Sequence, residues 1–201
     1  MSIANYLTFF RIFITPIFMF IYLEHELLAI NPIILPYFLL TFLIFSELSD
    51  AFDGYLARKL HQVTDLGKIL DPMADSIYRI SVFLTFTQPP VNLPLLIVFL
   101  FLYRDSVIST LRTICAFRGF TLAARATGKI KAMIQAGSAF LVVFMMIPYS
   151  LGKISQISLR YTAIIAISVA AFYALLSGIE YIWVNREYVL RLLTDQEGNK
   201  E

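Results

Sequence analysis

The residues of this sequence best able to do chemistry stand between Asp50 and Asp75, in the stretch DAFDGYLARKLHQVTDLGKILDPMAD. A helical residue advances the side chain by about 100°. Asp50, Asp53, Gly54 and Ala57 therefore fall on one helical face with Arg58 at its edge, and Asp71 and Asp75 lie one turn apart on a second helix. If the two helices face each other, four hard oxygen donors enclose a space suited to one or two Mg²⁺, Mn²⁺ or Ca²⁺ ions. Without cations those carboxylates would repel one another strongly at low dielectric. Gly54 and Ala57 leave room for a ligand beside such ions, and Arg58 offers a forked donor to phosphate. The competing reading is a set of solvated acidic residues at a loop.

The elements that must position these residues are set by an apolar composition. The chain has 201 residues, 59% of them hydrophobic, and a mean hydropathy of +0.75. Those values lie outside the range of soluble domains and predict an all-α integral membrane protein. A formal net charge of +2 gives no indication of a nucleic-acid partner, so the position of each charge matters more than the total. The single Cys115 excludes an internal disulfide. The start of the chain lacks a basic leader and a small-residue cleavage site, so it reads as a retained first span.

Six transmembrane helices are expected, over about residues 5–23, 33–59, 72–88, 94–117, 130–150 and 161–184, forming one membrane domain over 1–201. The first is apolar except for Arg11; taken residue by residue, one reading of this segment is a snorkelling Arg11 with Asn5 or Thr8 as a helix cap. Residues 33–45 alone are too few to cross about 30 Å of hydrocarbon, so the second helix must continue through the Asp50–Lys59 motif. Residues 60–70 read as a loop, with Asp71 as N-cap and Pro72 at the first helical position. The fourth span is interrupted in its hydropathy by Arg104-Asp105. Arg104 and Arg112, eight residues apart, share a helical face, and neither belongs against lipid; with Lys131 they could form a basic pocket beside the aspartates. Pro148, Gly152 and Lys153 mark a turn, and Tyr181, Trp183 and Tyr188 an interfacial belt.

The spacing D-x-x-D-G-x-x-A-R, eight residues, G-x-x-x-D-x-x-x-D resembles the signature of the CDP-alcohol phosphatidyltransferases at every fixed position: Asp50, Asp53, Gly54, Ala57, Arg58, Gly67, Asp71 and Asp75. A weaker likeness extends from Asn5 to about Gln135. The resemblance implies Mg²⁺ or Mn²⁺, two ions, held by Asp50, Asp53, Asp71 and Asp75, with Asp75 also as general base. It further implies that Asn5, Thr8, Gly54, Ala57, Arg58 and Thr64 bind the nucleotide-lipid CDP-diacylglycerol. The members most alike use sn-glycerol 3-phosphate as acceptor, and Arg104, Arg112 and Lys131 suit a phosphate-bearing alcohol. Two departures from those members are Asp105, where Glu is usual, and Ser76, where Lys is common; inositol phosphate or serine remain alternative acceptors. Partners are therefore these substrates, membrane lipid and a second copy of the chain as a homodimer.

Basic residues accumulate on one face: Arg58, Lys59, Lys68, Arg112, Arg118, Arg125, Lys129, Lys131, Arg186, Arg191 and Lys200, against Lys153 and Arg160 on the other. That asymmetry predicts a multi-pass protein of the cell (inner) membrane, with both termini and a polar cavity on the cytoplasmic side. Two readings from other classes stay open. An intramembrane prenyltransferase also binds diphosphate through paired aspartate clusters and Mg²⁺, and a cation transporter could hold carboxylates at mid-membrane.

Overall fold

The computed structural model describes residues 3–59, 65–117 and 126–187; within its helices the side chains of 3–10, 50, 51, 53–59, 65–71 and 116 lie outside the description. The described residues form six helices and no strand. They are α1 (Ile3–Leu23), α2 (Leu35–Lys59), α3 (Asp65–Thr85), α4 (Leu95–Phe117), α5 (Ala126–Ser150) and α6 (Gln156–Val184). α1 packs on both α2 and α3, α5 on α6 and α2, and α4 on α6 and α3.

Several boundaries follow from local chemistry that hydropathy does not register. α2 opens with Pro36 in its first turn, where a missing N–H costs nothing, after Asn31 Oδ1 accepts from the Ile33 N–H at 2.9 Å. α6 starts at Gln156, five residues before the expected Tyr161. Ser155 is its N-cap, with extended backbone (φ −77°, ψ 157°) and a hydroxyl that accepts from the Ser158 N–H at 3.2 Å, satisfying one of the orphan donors of the first turn.

α5 ends in a Schellman turn. The Lys153 N–H bonds the Pro148 carbonyl and the Gly152 N–H the Tyr149 carbonyl, both at 2.9 Å, while Gly152 takes φ +69°, which only glycine adopts without strain. Pro148 is thus inside α5, not in the turn as expected. α3 departs most from expectation: it begins at Asp65, so Asp71 is neither N-cap nor loop residue, and Pro72 lies inside the helix. Proline's fixed φ suits a helix, and its cost is one lost backbone hydrogen bond and crowding of the carbonyl four residues back. α3 carries that cost while packed against α1, α4 and α5.

α5 and α6 are long and apolar enough to cross a membrane; at 1.5 Å per residue they reach about 37 and 43 Å. Both faces of α6 are apolar. Ile157, Tyr161, Ile165, Val169, Phe172, Ile179 and Trp183 are exposed along one side. The other side buries Ala163, Ala170, Ala171, Ala174, Ser177 and Gly178, small residues that let neighbouring backbones approach closely, as packing within lipid requires.

The bundle is uneven along its length. At the end holding the connections 24–34, 86–94 and 151–155, Phe18, Leu39, Phe86, Phe101, Met146 and Leu159 are buried in one apolar core. Tyr22 ties the 86–94 connection by donating to the Gln88 carbonyl at 3.2 Å. At the other end the interior is charged, with Arg11, Arg79, Asp105, Lys131 and Gln135 all buried.

Candidate active site

A cavity of about 650 Å³ opens in that charged end, walled by Glu47 at the middle of α2, residues 72–79 of α3, residues 104–112 of α4 and the first turns of α5. Asp105 anchors its floor. The carboxylate is 5% exposed and accepts from Lys131 Nζ at 2.6 Å, Ser76 Oγ at 2.7 Å and Arg104 Nη1 at 2.9 Å. A buried anion with two cations and a hydroxyl around it has the partners that make interior charge tolerable. α4 runs through Arg104-Asp105 as one helix, in keeping with the single span expected over 94–117, and its two charges are met inside the bundle.

Arg104, Arg112 and Lys131 all line this cavity, so the structure brings together the three cations that the sequence assigned to one pocket. Arg104 also donates Nη2 to Ser177 Oγ at 3.1 Å. Arg112 donates Nε to the Tyr181 hydroxyl at 3.1 Å and holds its guanidinium 4.9 Å from the centre of that ring. Tyr181, 2% exposed, is therefore an interior residue and not part of an interfacial belt. The expected outward position fits its neighbour Trp183, which is exposed with Arg186 over its ring; Tyr188 lies outside the described residues.

Asp75 stands on the α3 wall and is paired with Arg11 of α1. Arg11 is 2% exposed, which corrects its reading as a snorkelling residue: a buried guanidinium needs an anion more than an apolar stem needs cover. Four residues on, Arg79 turns into the bundle and donates to the Ala132 carbonyl of α5. Asp50, Asp53, Gly54, Ala57 and Arg58 lie in the unbroken α2 and Gly67 and Asp71 in α3, while Asn5 and Thr8 lie in α1; their side chains are outside the description, as is all of Thr64. Among the described residues no three metal-ligating side chains cluster. The residue types suit a hard divalent ion: Asp75 is a carboxylate beside a polar cavity, one of its oxygens already facing Arg11, and three further aspartates stand at turn spacing in the sequence of α2 and α3.

The family model described as CDP-alcohol phosphatidyltransferase matches residues 1–175. The chain belongs to this family. The match extends well past Gln135, where the sequence likeness was expected to end. Among similar proteins are three named CDP-diacylglycerol--glycerol-3-phosphate 3-phosphatidyltransferase. That of Bacillus subtilis is 31% identical over 192 residues, covering 92% of this chain and 96% of the relative. The Aquifex aeolicus protein is 36% identical over 106 residues, 52% of this chain and 54% of its own. The Rickettsia typhi protein is 27% identical over 191 residues, 93% and 98% respectively.

Membership of the CDP-alcohol phosphatidyltransferases makes the chain a transferase of phospholipid biosynthesis and removes the prenyltransferase and transporter readings. It also gives a setting for residues that sequence reasoning passed over. Arg11 and Arg79 could have been flagged because each is a guanidinium in an apolar helix and must find a partner inside the bundle. Ser76 and Asp105, noted only as two separate departures, turn out to be one hydrogen-bonded pair. Ser177, Gly178 and Tyr181 carried no signal beyond small size or aromatic character.

Proposed function

We propose that this CDP-alcohol phosphatidyltransferase transfers the phosphatidyl group of CDP-diacylglycerol to a hydroxyl of sn-glycerol 3-phosphate, giving phosphatidylglycerophosphate and CMP. The observation that carries the reading is the convergence of Arg104, Arg112 and Lys131 on the cavity that Asp75 also borders. A dianionic acceptor entering beside a diphosphate and four aspartates needs cations of its own to offset the repulsion, and serine would have no use for three. The names of the relatives, which specify both substrates, support the same choice.

In this reading the acceptor hydroxyl attacks the lipid-bearing β-phosphorus, a new P–O bond forms, and the bond to CMP breaks. Asp75 receives the hydroxyl proton as attack proceeds; an alcohol is too weak an acid to ionise beforehand, so the base must lie within hydrogen-bond reach. Arg11, ion-paired with Asp75, orients that carboxylate. Divalent ions, Mg²⁺ or Mn²⁺, held by Asp50, Asp53, Asp71 and Asp75, would neutralise charge on the diphosphate and the departing CMP. Gly54, Ala57, Arg58 and Thr64 hold the cytidine and its phosphates, and Asn5 and Thr8 help to bind the same nucleotide-lipid. All six helices cross the membrane with the charged end on the cytoplasmic side, where a lipid donor and a soluble acceptor can meet.

The test is CMP release by the purified protein supplied with CDP-diacylglycerol, a divalent ion and one of three acceptors: sn-glycerol 3-phosphate, inositol phosphate or serine. Release dependent on sn-glycerol 3-phosphate is expected. Release with another acceptor alone would overturn the choice of acceptor and leave the phosphatidyl transfer in place.

A further inference from the structure

Arg104 and Arg112 are eight residues apart on α4, about 12 Å along the helix axis at 1.5 Å per residue. Their anchors on α6 are much closer together. The Arg104 guanidinium meets α6 at Ser177, and that of Arg112 meets it at Tyr181; Ser177 and Tyr181 are four residues apart, about 6 Å of rise. Along the bundle axis the anchoring residues are thus closer together than the two arginines are on α4.

Each anchor is built into the interior. Ser177 and Tyr181 are 4% and 2% exposed, and Ser177 is itself fixed by donating to the Ala174 carbonyl at 2.8 Å. At Gly178 a Cβ would come within 3.0 Å of Arg104 Cγ and 3.4 Å of its Nε. The stem of Arg104 therefore lies flat against bare α6 backbone, a course that any side chain at 178 would deflect. The Tyr181 ring combines a hydrogen bond to Arg112 Nε with a cation–π contact, two constraints that together set both the distance and the plane of the guanidinium.

We infer that Ser177, Gly178 and Tyr181 are positioning residues that make Arg104 and Arg112 converge on the phosphate of the acceptor alcohol, so that α6 takes part in acceptor selection from outside the cavity wall. A phosphate received by two arginines needs both forks aimed at one point; independent long side chains would lose most of that pairing to rotamer freedom. Neither Tyr181 nor Gly178 lines the cavity, and each acts through an arginine.

This inference rests on the proposed phosphate-bearing acceptor, and steady-state kinetics on Tyr181→Phe, Tyr181→Leu, Gly178→Ala and Gly178→Val tests the two separately. Tyr181→Phe keeps the ring and loses only the hydroxyl, and should raise the KM for sn-glycerol 3-phosphate about 5- to 10-fold, with the KM for CDP-diacylglycerol and the thermal midpoint unchanged. Tyr181→Leu should raise it further, and Gly178→Val more than Gly178→Ala. If the valine variant does not fold, the alanine variant and Tyr181→Phe carry the measurement. An unchanged KM for sn-glycerol 3-phosphate in the folded variants, or KM values for both substrates rising together as the thermal midpoint falls, overturns the role of α6 while the acceptor assignment stands. Should the parent act on inositol phosphate and not on sn-glycerol 3-phosphate, the acceptor assignment falls and the same selective rise in KM is expected with inositol phosphate. A parent that accepts only serine overturns both.

Discussion

Asp105 holds two of the three cavity cations in place, and in doing so cancels part of the positive charge that an acceptor would meet. Asp105→Asn leaves Lys131 and Arg104 buried without their anion, and breaking a buried ion pair in this way costs about 3–5 kcal/mol. A markedly lower thermal midpoint in detergent is the expected outcome; a midpoint equal to the parent's would mean that the cluster is solvated in the membrane-bound protein. Asp75→Asn removes the carboxylate paired with buried Arg11 and should also lower the midpoint, but its distinguishing effect is on the reaction. The substitution retains the shape of the side chain and removes its basicity, so turnover should fall by about 10² or more, with a smaller change in the KM for CDP-diacylglycerol. Retained turnover at saturating substrate alongside loss of CDP-diacylglycerol binding would assign Asp75 to ligation alone. For Asp50, Asp53 and Asp71 the expected signature is a shift in metal dependence: each Asp→Asn exchange replaces a charged ligand by a neutral one and should raise the Mg²⁺ concentration needed for half-maximal CMP release. Unchanged metal dependence in all three would argue against a metal site between α2 and α3.

At the scale of the elements, the ends of helices are governed by backbone chemistry and their middles by packing. Gly152 holds φ +69° to close the Schellman turn after α5, and a Cβ there would meet no neighbour within 4 Å. The cost of Gly152→Ala is therefore purely conformational, about 1–2 kcal/mol for a left-handed residue. The predicted consequence is a lower thermal midpoint with the KM values for both substrates intact, since the turn lies at the end of the bundle away from the cavity; a change in either KM would show that the two ends are coupled. Pro72 represents the opposite case. Its preference for a first turn suggested that α3 begins at Asp71, yet the helix includes Asp65 and the turn that follows it. One lost backbone hydrogen bond is a small term beside the packing of α3 on three neighbours.

For the whole molecule, the separation of an apolar end from a charged end suits a protein that must be wet on one side of a membrane only. The excess of Lys and Arg in the part of the sequence that forms the charged end predicts that this side is cytoplasmic. In a Cys115→Ser background, a cysteine introduced at Asn92 should react with an impermeant reagent added to intact cells, and one at His61 should not. The reverse pattern would invert the orientation and put the active site outside.

The sequence by itself determined the helical class, through runs of apolar residues that leave no alternation for strands, and the reaction class, through the resemblance of its Asp50–Asp75 motif to a family signature. Arg104, Arg112 and Lys131 were also legible as a pocket, because intramembrane cations must turn inward. What it left open was the identity of their partners. Ser76, Asp105 and Lys131 are separated by up to 55 residues (131 − 76), and Arg11 and Asp75 by 64; such pairs form only when distant helices are brought side by side. Tyr181 was misread for the same reason: an aromatic residue near a helix end looks alike whether it faces headgroups or an arginine. Only the tertiary structure decided between them, since burial and pairing are properties of which helix stands opposite, and a single helix's periodicity carries no record of its neighbour.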